Sequence, residues 1–339
     1  MIVGFFLDNR ALHRIDLPFE SLLLDFYFAS AGLVILGIHL AEEGVWKGKW
    51  AAAFRPWLPI AFQFITGSWM SAYLVFYSRS ASLGASWPFL LLVLAVFAGT
   101  EIFKKYSDRL VFQNALYFFA VFSYFTFTVP LWFKAIGTNV FLLSGAVSIG
   151  FFGAFYLVLF SAGPRRFADT ARRVVRATLV IYLAMNALYF THLIPPLPLA
   201  LEDVGIYHSL VKTGTGYAVT AEPHDPVSSF FGYMTEEVRA GDSLFAFSAV
   251  FAPVALKTDI VHRWEYYDPP ARAWITKNVV TFPVVGGRDG GYRGFSEVNA
   301  LQAGRWRVSV ETPSGQLIGR IEFNVVFVSA LPPVTESVL

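Results

Sequence analysis

Six long apolar windows limit what this chain can fold into more than any other feature. A bilayer core of about 30 Å demands about 20 consecutive apolar residues when each helical residue rises about 1.5 Å. Windows of that kind, each bounded by charge, Gly or Pro, lie at Ser21–Leu40, Leu58–Tyr77, Trp87–Phe103, Ala115–Phe133, Val140–Ser161 and Val174–Leu193. The pattern predicts a polytopic α-helical transmembrane bundle of six helices over residues 21–194.

Composition agrees with lipid-covered helices. Hydrophobic residues make up 55% of the 339-residue chain and charged residues only 15%, against about 25% charged in an average soluble domain. The absence of cysteine excludes disulfides, thiolate metal sites and Cys nucleophiles. No catalytic signature is present, so we expect no cofactor, no metal site and no nucleic-acid partner, and the oligomeric state stays open.

The basic residues are distributed unequally between the loops. Positively charged loops are retained on the cytoplasmic side during insertion. The loops after predicted helices one, three and five carry eleven such residues, namely Lys47, Lys49, Arg55, Lys104, Lys105, Arg109, Arg165, Arg166, Arg172, Arg173 and Arg176. The loops after helices two and four carry only Arg79 and Lys134. The asymmetry predicts a multi-pass protein whose C-terminal domain is extracytoplasmic, which in a Gram-negative bacterial cell means an inner-membrane protein with a periplasmic domain.

The N-terminal stub, residues 1–20, does not fit this topology fully. Met1–Leu7 is apolar and Asp8–Asp16 is polar, as at the end of a helix whose beginning is missing. No basic segment precedes the apolar one and no small-residue cleavage site follows it, which argues against a signal peptide. One hypothesis is therefore a truncated seventh helix at the N-terminus.

A second kind of pattern follows the last apolar window. Pro195, Pro196 and Pro198 cannot continue a helix, so residues 195–204 are interpreted as a Pro-rich exit linker. Residues 205–329 alternate with period two, as in half-buried strands, and residues 330–339 are interpreted as a mobile tail. The clearest strands, Arg305–Glu311 and Leu317–Phe327, predict a hairpin through a Pro-Ser-Gly turn.

Seven or eight short strands without a helical pattern favour an all-β immunoglobulin-like sandwich outside the cytoplasm. Trp264 is the expected core anchor, and His262, in phase with it, is expected to be a hydrogen-bonded core residue rather than a metal ligand.

Several short motifs in this region resemble a known family. They are His262-Arg263-Trp264, Val285-Gly286-Gly287, Tyr292-Arg293-Gly294-Phe295-Ser296 and Gly304-Arg305-Trp306-Arg307-Val308, with Phe323-Asn324-Val325 at the end. Together Asp259 to Val326 resembles the bacterial domain of unknown function 2914. Some members look similar further upstream, with a multi-helix membrane region and a segment like Gly4 to Asp16, which strengthens the suspicion of a lost first helix. The resemblance implies architecture and brings no catalytic residues.

Polar residues near or within the predicted helices form one set of candidate sites. Three of them are expected at a similar depth in the membrane, near its cytoplasmic side: His39, Glu42 and Glu101. One interpretation is a metal or proton site. The other is that the carboxylates form interfacial ion pairs with Lys47, Lys104 or Lys105. Asp25 lies about one turn inside the external start of helix one. A membrane-embedded ionisable group suggests function, although one this shallow can also reach water.

Basic residues form two further candidate sites. Arg288, Asp289 and Arg293, in or beside a Gly-rich strand connection, are a possible ligand or partner surface. Five arginines lie between predicted helices five and six: Arg165, Arg166, Arg172, Arg173 and Arg176. They are possible contacts for anionic lipid headgroups. A second interpretation, compatible with the first, is that they only keep this loop on the cytoplasmic side.

Two functions follow from these features. The leading hypothesis is a non-enzymatic envelope anchor or scaffold, in which the bundle anchors a β-sandwich that binds a protein or a cell-envelope polymer. The alternative is a membrane enzyme or small transporter with an intramembrane polar site built from Asp25, His39 or Glu101.

Overall fold

The structure, a computed structural model, describes residues 18–80, 83–102, 110–196, 198–214, 216–223, 234–253, 256–288 and 290–339. The chain divides into two compact units, Met1–Pro198 and Leu199–Leu339. The N-terminal stub and its hypothetical seventh helix lie outside the described residues, apart from the first turn of the first helix.

Helices make up the first unit. In chain order they are α1 (Pro18–Glu42), α2 (Lys49–Phe54), a 3-10 turn (Arg55–Trp57), α3 (Leu58–Ser80), α4 (Leu83–Ile102), α5 (Leu110–Phe133), α6 (Thr138–Ala162) and α7 (Pro164–Phe190). Among the described residues, the six helices of 20 or more residues coincide with the six predicted windows.

Within the part of the chain that the structure describes, five segments are long and apolar enough to cross a membrane: Phe19–Glu42, Ala52–Tyr77, Leu110–Phe133, Thr138–Ala162 and Thr170–Phe190. In α4 the described apolar stretch, Trp87–Val96, is shorter. Large apolar side chains on the outer surfaces of these helices are exposed, including Leu33, Phe64, Leu157 and Val180. Such surfaces are what lipid-facing helices present.

Helix α5 lies at the centre of the first unit. It packs against α1, α3, α6 and α7, and residues on every side of it are buried. A helix that is apolar all round is expected to be enclosed by its neighbours. Its aromatic rings interlock with those of the other helices, as where Phe28 of α1 stacks on Tyr124 with ring centroids 4.5 Å apart.

Helix α7 begins ten residues before the predicted window, which corrects the assignment of residues 165–173 to a loop. Pro164 stands at the start of the helix, where its missing N–H costs nothing. Phe167, Ala171 and Val174 then follow at helical spacing and pack into the bundle. The apolar-window criterion missed this segment because the helix is amphipathic there, with arginines on its other face.

The described residues of the second unit form eleven strands: β1 (Ala200–Tyr207), β2 (Ser209–Lys212), β3 (Tyr217–Ala221), β4 (Met234–Val238), β5 (Leu244–Phe251), β6 (Lys257–Asp268), β7 (Ala273–Val285), β8 (Tyr292–Val298), β9 (Gly304–Glu311), β10 (Leu317–Phe327) and β11 (Thr335–Val338). They form sheets of order β1-β5-β8, β4-β10-β9-β6-β7 and β11-β3-β2. All pairs are antiparallel except β4 with β10.

One apolar core joins the first two of these sheets. Trp264 on β6 and Trp306 on β9 are fully buried, and Ala246 of β5 and Val298 of β8 meet them from the three-stranded sheet. The predicted hairpin is present, since β9 pairs with β10 in antiparallel fashion, with Val308 opposite Ile321. Trp264 is thus the core anchor that the alternation predicts.

Two expected boundaries differ from the structure. Strand β1 begins at Ala200, inside the expected exit linker, and a bulge between Leu201 and Asp203 disturbs the alternation that would have revealed it. Residues 335–338, expected in a mobile tail, form β11 and pair with β3. Its side chains are all exposed, so no apolar pattern marks it, and the free backbone edge of β3 holds it.

Candidate functional site

Asp25 is bound to a tyrosine. The hydroxyl of Tyr124, on α5, donates to Asp25 Oδ1 at 2.6 Å, while the Asp25 side chain remains exposed on the surface of the helical unit. The aspartate therefore joins α1 to α5 near the start of α1.

His39 lies at the other end of α1, fully buried. Its Nε2 lies 2.9 Å from the main-chain oxygen of Leu159 and donates to it, because a carbonyl can only accept. Gly163 fits closely beside it, since a Cβ there would come within 2.8 Å of His39 Nε2. His39 thus ties the end of α1 to the end of α6.

The structure does not bring the predicted intramembrane residues into one site. Asp25 and His39 are 14 residues apart on one continuous helix, which corresponds to about 21 Å along its axis. Glu42 is half-buried near His39, whereas the side chain of Glu101 and the whole of Lys104 and Lys105 lie outside the described residues. Among the described side chains, no polar site joins the two ends.

Basic and aromatic residues gather at the His39 end. In α7 the side chains of Arg172, Arg173 and Arg176 are exposed, while those of Arg165 and Arg166 are not described. The connection from α1 to α3 carries four exposed rings beside Lys47, Lys49 and Arg55: Trp46, Trp50, Phe54 and Trp57. Because His39 joins the ends of α1 and α6, the connection after α1 and the start of α7 lie at the same end of the helical unit.

The predicted ligand surface of Arg288, Asp289 and Arg293 is only partly formed. Arg288 is exposed and its guanidinium lies 5.4 Å from the ring centre of Tyr292. Arg293 Nη1 instead donates to the main-chain oxygen of Leu339 at 2.8 Å, which fixes the chain just after β11. Asp289 lies outside the described residues.

The outer face of the five-stranded sheet carries a ladder of ion pairs. Arg307 binds Glu265 through two hydrogen bonds of 2.6 and 3.0 Å, and Arg263 binds Glu311 at 3.0 Å. Burial raises the pKa of Glu311, and the neighbouring Arg263 opposes that rise. The period-two alternation of β6, β9 and β10 produces this face, since Trp264, Trp306 and Phe323 of the same strands point into the core.

One end of that face forms a cluster that we call the Trp274 patch, composed of Tyr267, Trp274, Arg305 and Arg307. The ring centroids of Tyr267 and Trp274 are 5.3 Å apart. The guanidinium of Arg307 lies 4.3 Å from the Trp274 ring centre, and that of Arg305 lies 5.5 Å from it. The side chain of Arg305 is 62% exposed and lies 3.5 Å from the carboxylate of Glu322, so the patch combines aromatic surface with a solvent-accessible ion pair.

His262 is buried in the core with both ring nitrogens engaged, as predicted. Nε2 lies 2.7 Å from Ser248 Oγ on β5, and Nδ1 lies 2.9 Å from Ser296 Oγ on β8. Trp264 Nε1 donates to the same Ser296 oxygen at 2.8 Å. Burial lowers the pKa of His262 from 6.5 to about 4, so the imidazole is neutral at pH 7.

A further cluster, called here the His-Glu-Glu cluster, consists of His208, Glu222 and Glu236. His208 Nε2 lies 2.9 Å from Glu222 Oε1 and 3.5 Å from Glu236 Oε2. The relative exposure of the three side chains is 10%, 9% and 1%. The backbone N–H of Glu237 donates to Glu222 Oε1 at 2.6 Å.

No pattern in the sequence indicates these three residues. They are 14 residues apart at each step and fit no ligand spacing motif. Only the strand arrangement brings them together, because His208 separates β1 from β2, Glu222 follows β3 and Glu236 lies within β4.

These features define a class: a protein with a helical unit apolar enough to cross a membrane, followed by a separate β unit. Within that class, residues 257–325 match the family model described as "Protein of unknown function (DUF2914)". The match runs from the first residue of β6 into β10, and the C-terminal region therefore carries a DUF2914 domain.

Other comparisons are remote. No curated protein matches the chain. Among solved structures, a β-glucosidase from Listeria innocua in complex with isofagomine is similar at 14% identity and TM-score 0.24, over 38% of this chain and 16% of that one. The Pseudomonas fluorescens alkylpurine DNA glycosylase AlkC bound to abasic-site DNA is similar at 11% identity and TM-score 0.22, over 93% of this chain and 100% of that one. TM-scores this low carry no argument about fold or function.

Proposed function

We propose that this protein is an anchor or scaffold of the bacterial inner membrane, whose β unit binds another component of the cell envelope on the extracytoplasmic side. The Trp274 patch is the observation that carries the proposal. Interface residues that contribute most to binding are enriched in Trp, Tyr and Arg, and here all three types meet on one partly exposed surface.

The orientation is supported by the two basic segments at the His39 end of the helical unit. Exposed tryptophans beside Lys47 and Lys49 are typical of a membrane interface, and basic residues favour the cytoplasmic side. Arg172, Arg173 and Arg176 are positioned there to contact anionic headgroups, each contributing about 1 kcal/mol near a charged surface. Helix α7 starts at that end, and by the same charge rule the chain that follows α7 is extracytoplasmic.

An immunoglobulin-like sandwich is the finer fold that we infer for the β unit. In such folds strands B and E share one sheet, strands C, F and G share the other, and a buried Trp lies on strand C. Assigning β5, β6, β8, β9 and β10 to B, C, E, F and G satisfies both sheet orders and puts Trp264 on strand C. Sandwiches of this architecture commonly serve as binding modules, which is an argument by analogy.

A protein partner fits the Trp274 patch better than a neutral polysaccharide. Sugar rings need a free aromatic face to stack on, whereas the guanidiniums of Arg305 and Arg307 already lie near the Trp274 ring. Exposed guanidinium beside aromatic rings suits carboxylates and aromatic side chains, since Arg offers two-pronged hydrogen bonds.

Photo-crosslinking in native membranes tests the partner. The chain has no cysteine, so Ala273→Cys, beside the patch, can carry a single benzophenone, and Val211→Cys on the exposed face of β2 provides a matched control. We expect a protease-sensitive adduct at position 273 that Arg305→Glu abolishes, and none at 211. Equal labelling at both positions, or no adduct, would contradict the proposal that the Trp274 patch binds a partner. A protease-resistant adduct would mean that the partner is a polymer rather than a protein.

Labelling with a membrane-impermeant maleimide tests the orientation separately. Ser314→Cys, in the turn between β9 and β10, should react in cells whose outer membrane alone is permeable. Lys47→Cys should react only after the inner membrane is opened. The reverse pattern would place the β unit in the cytoplasm and remove the proposal.

A further inference from the structure

We propose that the His-Glu-Glu cluster binds a divalent transition cation, with Zn²⁺ as the best fit. The cluster is separate from the residues of the Trp274 patch and does not depend on the proposed function.

The fold fixes each of the three residues from its own strand. His208 lies where the chain stops pairing with β5 and starts pairing with β3, and its N–H donates to the main-chain oxygen of Thr220 at 2.8 Å. Glu222 follows β3 directly. Glu236 is the middle residue of β4 and pairs with Val325 of β10. The positions are therefore set by backbone ladders rather than by flexible loops, as a preorganised site requires.

The separations of the donor atoms match a coordination sphere. One imidazole nitrogen and two carboxylate oxygens lie within 4.8 Å of one another. Tetrahedral zinc with bonds of about 2.1 Å places its ligand atoms about 3.4 Å apart. The distances from His208 Nε2, 2.9 Å to Glu222 and 3.5 Å to Glu236, lie on either side of that value, so small side-chain shifts would suffice.

Burial and charge favour a cation between these groups. The three side chains carry more negative than positive charge even when the imidazole is protonated, and each is at least nine-tenths buried. Grouping carboxylates in a buried place is costly unless positive charge accompanies them. The backbone N–H of Glu237 donates a hydrogen bond to Glu222 Oε1. Hydrogen bonds of this kind commonly orient carboxylates that bind metals.

The ligand types select the class of metal. Calcium takes six to eight oxygen ligands, and magnesium retains several waters with one or two carboxylates. Imidazole nitrogen beside carboxylate oxygen suits zinc, manganese or iron instead. Three protein ligands would leave a fourth position for water, as in open zinc sites.

A cation here would link two sheets of the β unit. His208 and Glu222 flank the β11-β3-β2 sheet, and Glu236 belongs to the five-stranded sheet. Binding would therefore stabilise the attachment of the edge strand β4, the shortest strand of its sheet.

Metal content and melting temperature of the purified full-length protein in detergent test the proposal. Protein stripped with a chelator is titrated with ZnCl₂, MnCl₂ and CaCl₂, with any affinity tag removed. We expect about one Zn²⁺ per chain, with Ca²⁺ binding weaker by more than about 10-fold, and a higher melting temperature for the zinc-loaded β unit. Glu222→Gln and Glu236→Gln should each weaken zinc binding by more than about 10-fold.

Glu237→Gln is the matched control, because it lies next to Glu236 on the same strand and contributes its backbone N–H, which the substitution keeps. It should bind zinc like the natural chain. If a Gln variant loses its circular dichroism signal, Glu222→Asp, which keeps the carboxylate, should restore folding and zinc binding together. If the stripped natural chain bound no zinc, or if all three Gln variants bound zinc equally, the cluster would be only an ion pair and not a metal site.

Discussion

The helical unit and the β unit satisfy their polar side chains in different ways. In the helices, Ser, Thr and Asn mostly bind the carbonyl four residues earlier in their own helix, as Thr66 binds Phe62 and Asn114 binds Leu110. In the β unit, polar side chains bind across strands and between sheets. The single side chain of His262, for example, forms hydrogen bonds with hydroxyls on two strands of the opposite sheet.

This difference explains where candidate sites occur. A hydroxyl bonded to its own helix is satisfied without any neighbour and brings no second functional group near it. Cross-strand pairs assemble groups from distant parts of the chain, which is what binding chemistry requires. Among the described helices, the polar links between helices that the structure shows come from tyrosines and His39, as with Tyr73, whose hydroxyl donates to the main-chain oxygen of Ala120 at 2.8 Å.

The largest effect should come from the core of the β unit. Trp264→Ala removes a fully buried ring and its hydrogen bond to Ser296, and should lower the free energy of unfolding of the β unit by about 3–5 kcal/mol. Pulse proteolysis in urea, with β-unit peptides followed by mass spectrometry, measures it. Trp132→Ala, at a ring 60% exposed on α5, is the control and should leave the β unit unchanged. A loss below about 1 kcal/mol for Trp264→Ala would contradict the shared core.

The second prediction concerns acid. The pKa of His262 is lowered from 6.5 to about 4 by burial, so below pH 6.5 the unfolded chain binds a proton that the folded chain does not. Its contribution to stability is complete above pH 6.5 and is lost as the pH falls towards 4, by about 3 kcal/mol.

His262→Gln keeps a donor and an acceptor and isolates this effect. Urea unfolding of the β unit at pH 7.5, 6, 5 and 4 should show a steeper loss of stability in the natural chain than in the variant. Parallel curves for the two proteins would mean that His262 is not the group responsible.

Much of the architecture could be predicted because its signals are local. A helix that must be apolar over its whole length is marked in the sequence by a long apolar window. A strand with one buried face is marked by alternating apolar and polar residues. Trp264, Trp306 and the hairpin after Glu311 follow directly from that alternation. His262 was assigned to the core for the same reason, since it stands two residues before Trp264 on one strand.

The remaining features depend on contacts between distant segments. The start of α7 is amphipathic, and its buried side is recognised only against α1 and α6. Strand β11 exists through backbone pairing with β3 and has no side-chain pattern. The His-Glu-Glu cluster brings together residues at the ends of β2 and β3, in one sheet, and a residue of β4, in another, and neither the spacing nor the types of its residues reveal it.

The third prediction tests one of the polar links between helices, the contact of His39 with Leu159. At Gly163 a Cβ would collide with Glu43 Cγ and would lie 2.8 Å from His39 Nε2. Gly163→Ala should therefore displace His39 and destabilise the helical unit by about 1–3 kcal/mol.

Unfolding in increasing SDS, followed by far-ultraviolet circular dichroism, measures this loss. Gly150→Ala, in α6, is the control, because nothing lies within 4 Å of a Cβ there. It should be neutral or stabilising by up to about 1 kcal/mol, since Ala is the better helix former. Equal behaviour of the two variants would show that the His39 contact does not hold the two helix ends together.

The smallest effect should come from the Tyr124 hydroxyl. Tyr124→Phe removes the 2.6 Å bond to Asp25 but keeps the ring that stacks on Phe28. Hydrogen bonds between membrane helices are worth about 0.6 kcal/mol on average, and Asp25 is exposed enough to find another partner. The same SDS titration should shift by about that amount. A loss of stability above about 2 kcal/mol would mean that Asp25 lies in a polar site that excludes water. At that point the helical unit would resemble the β unit, where polar side chains bind groups on other strands.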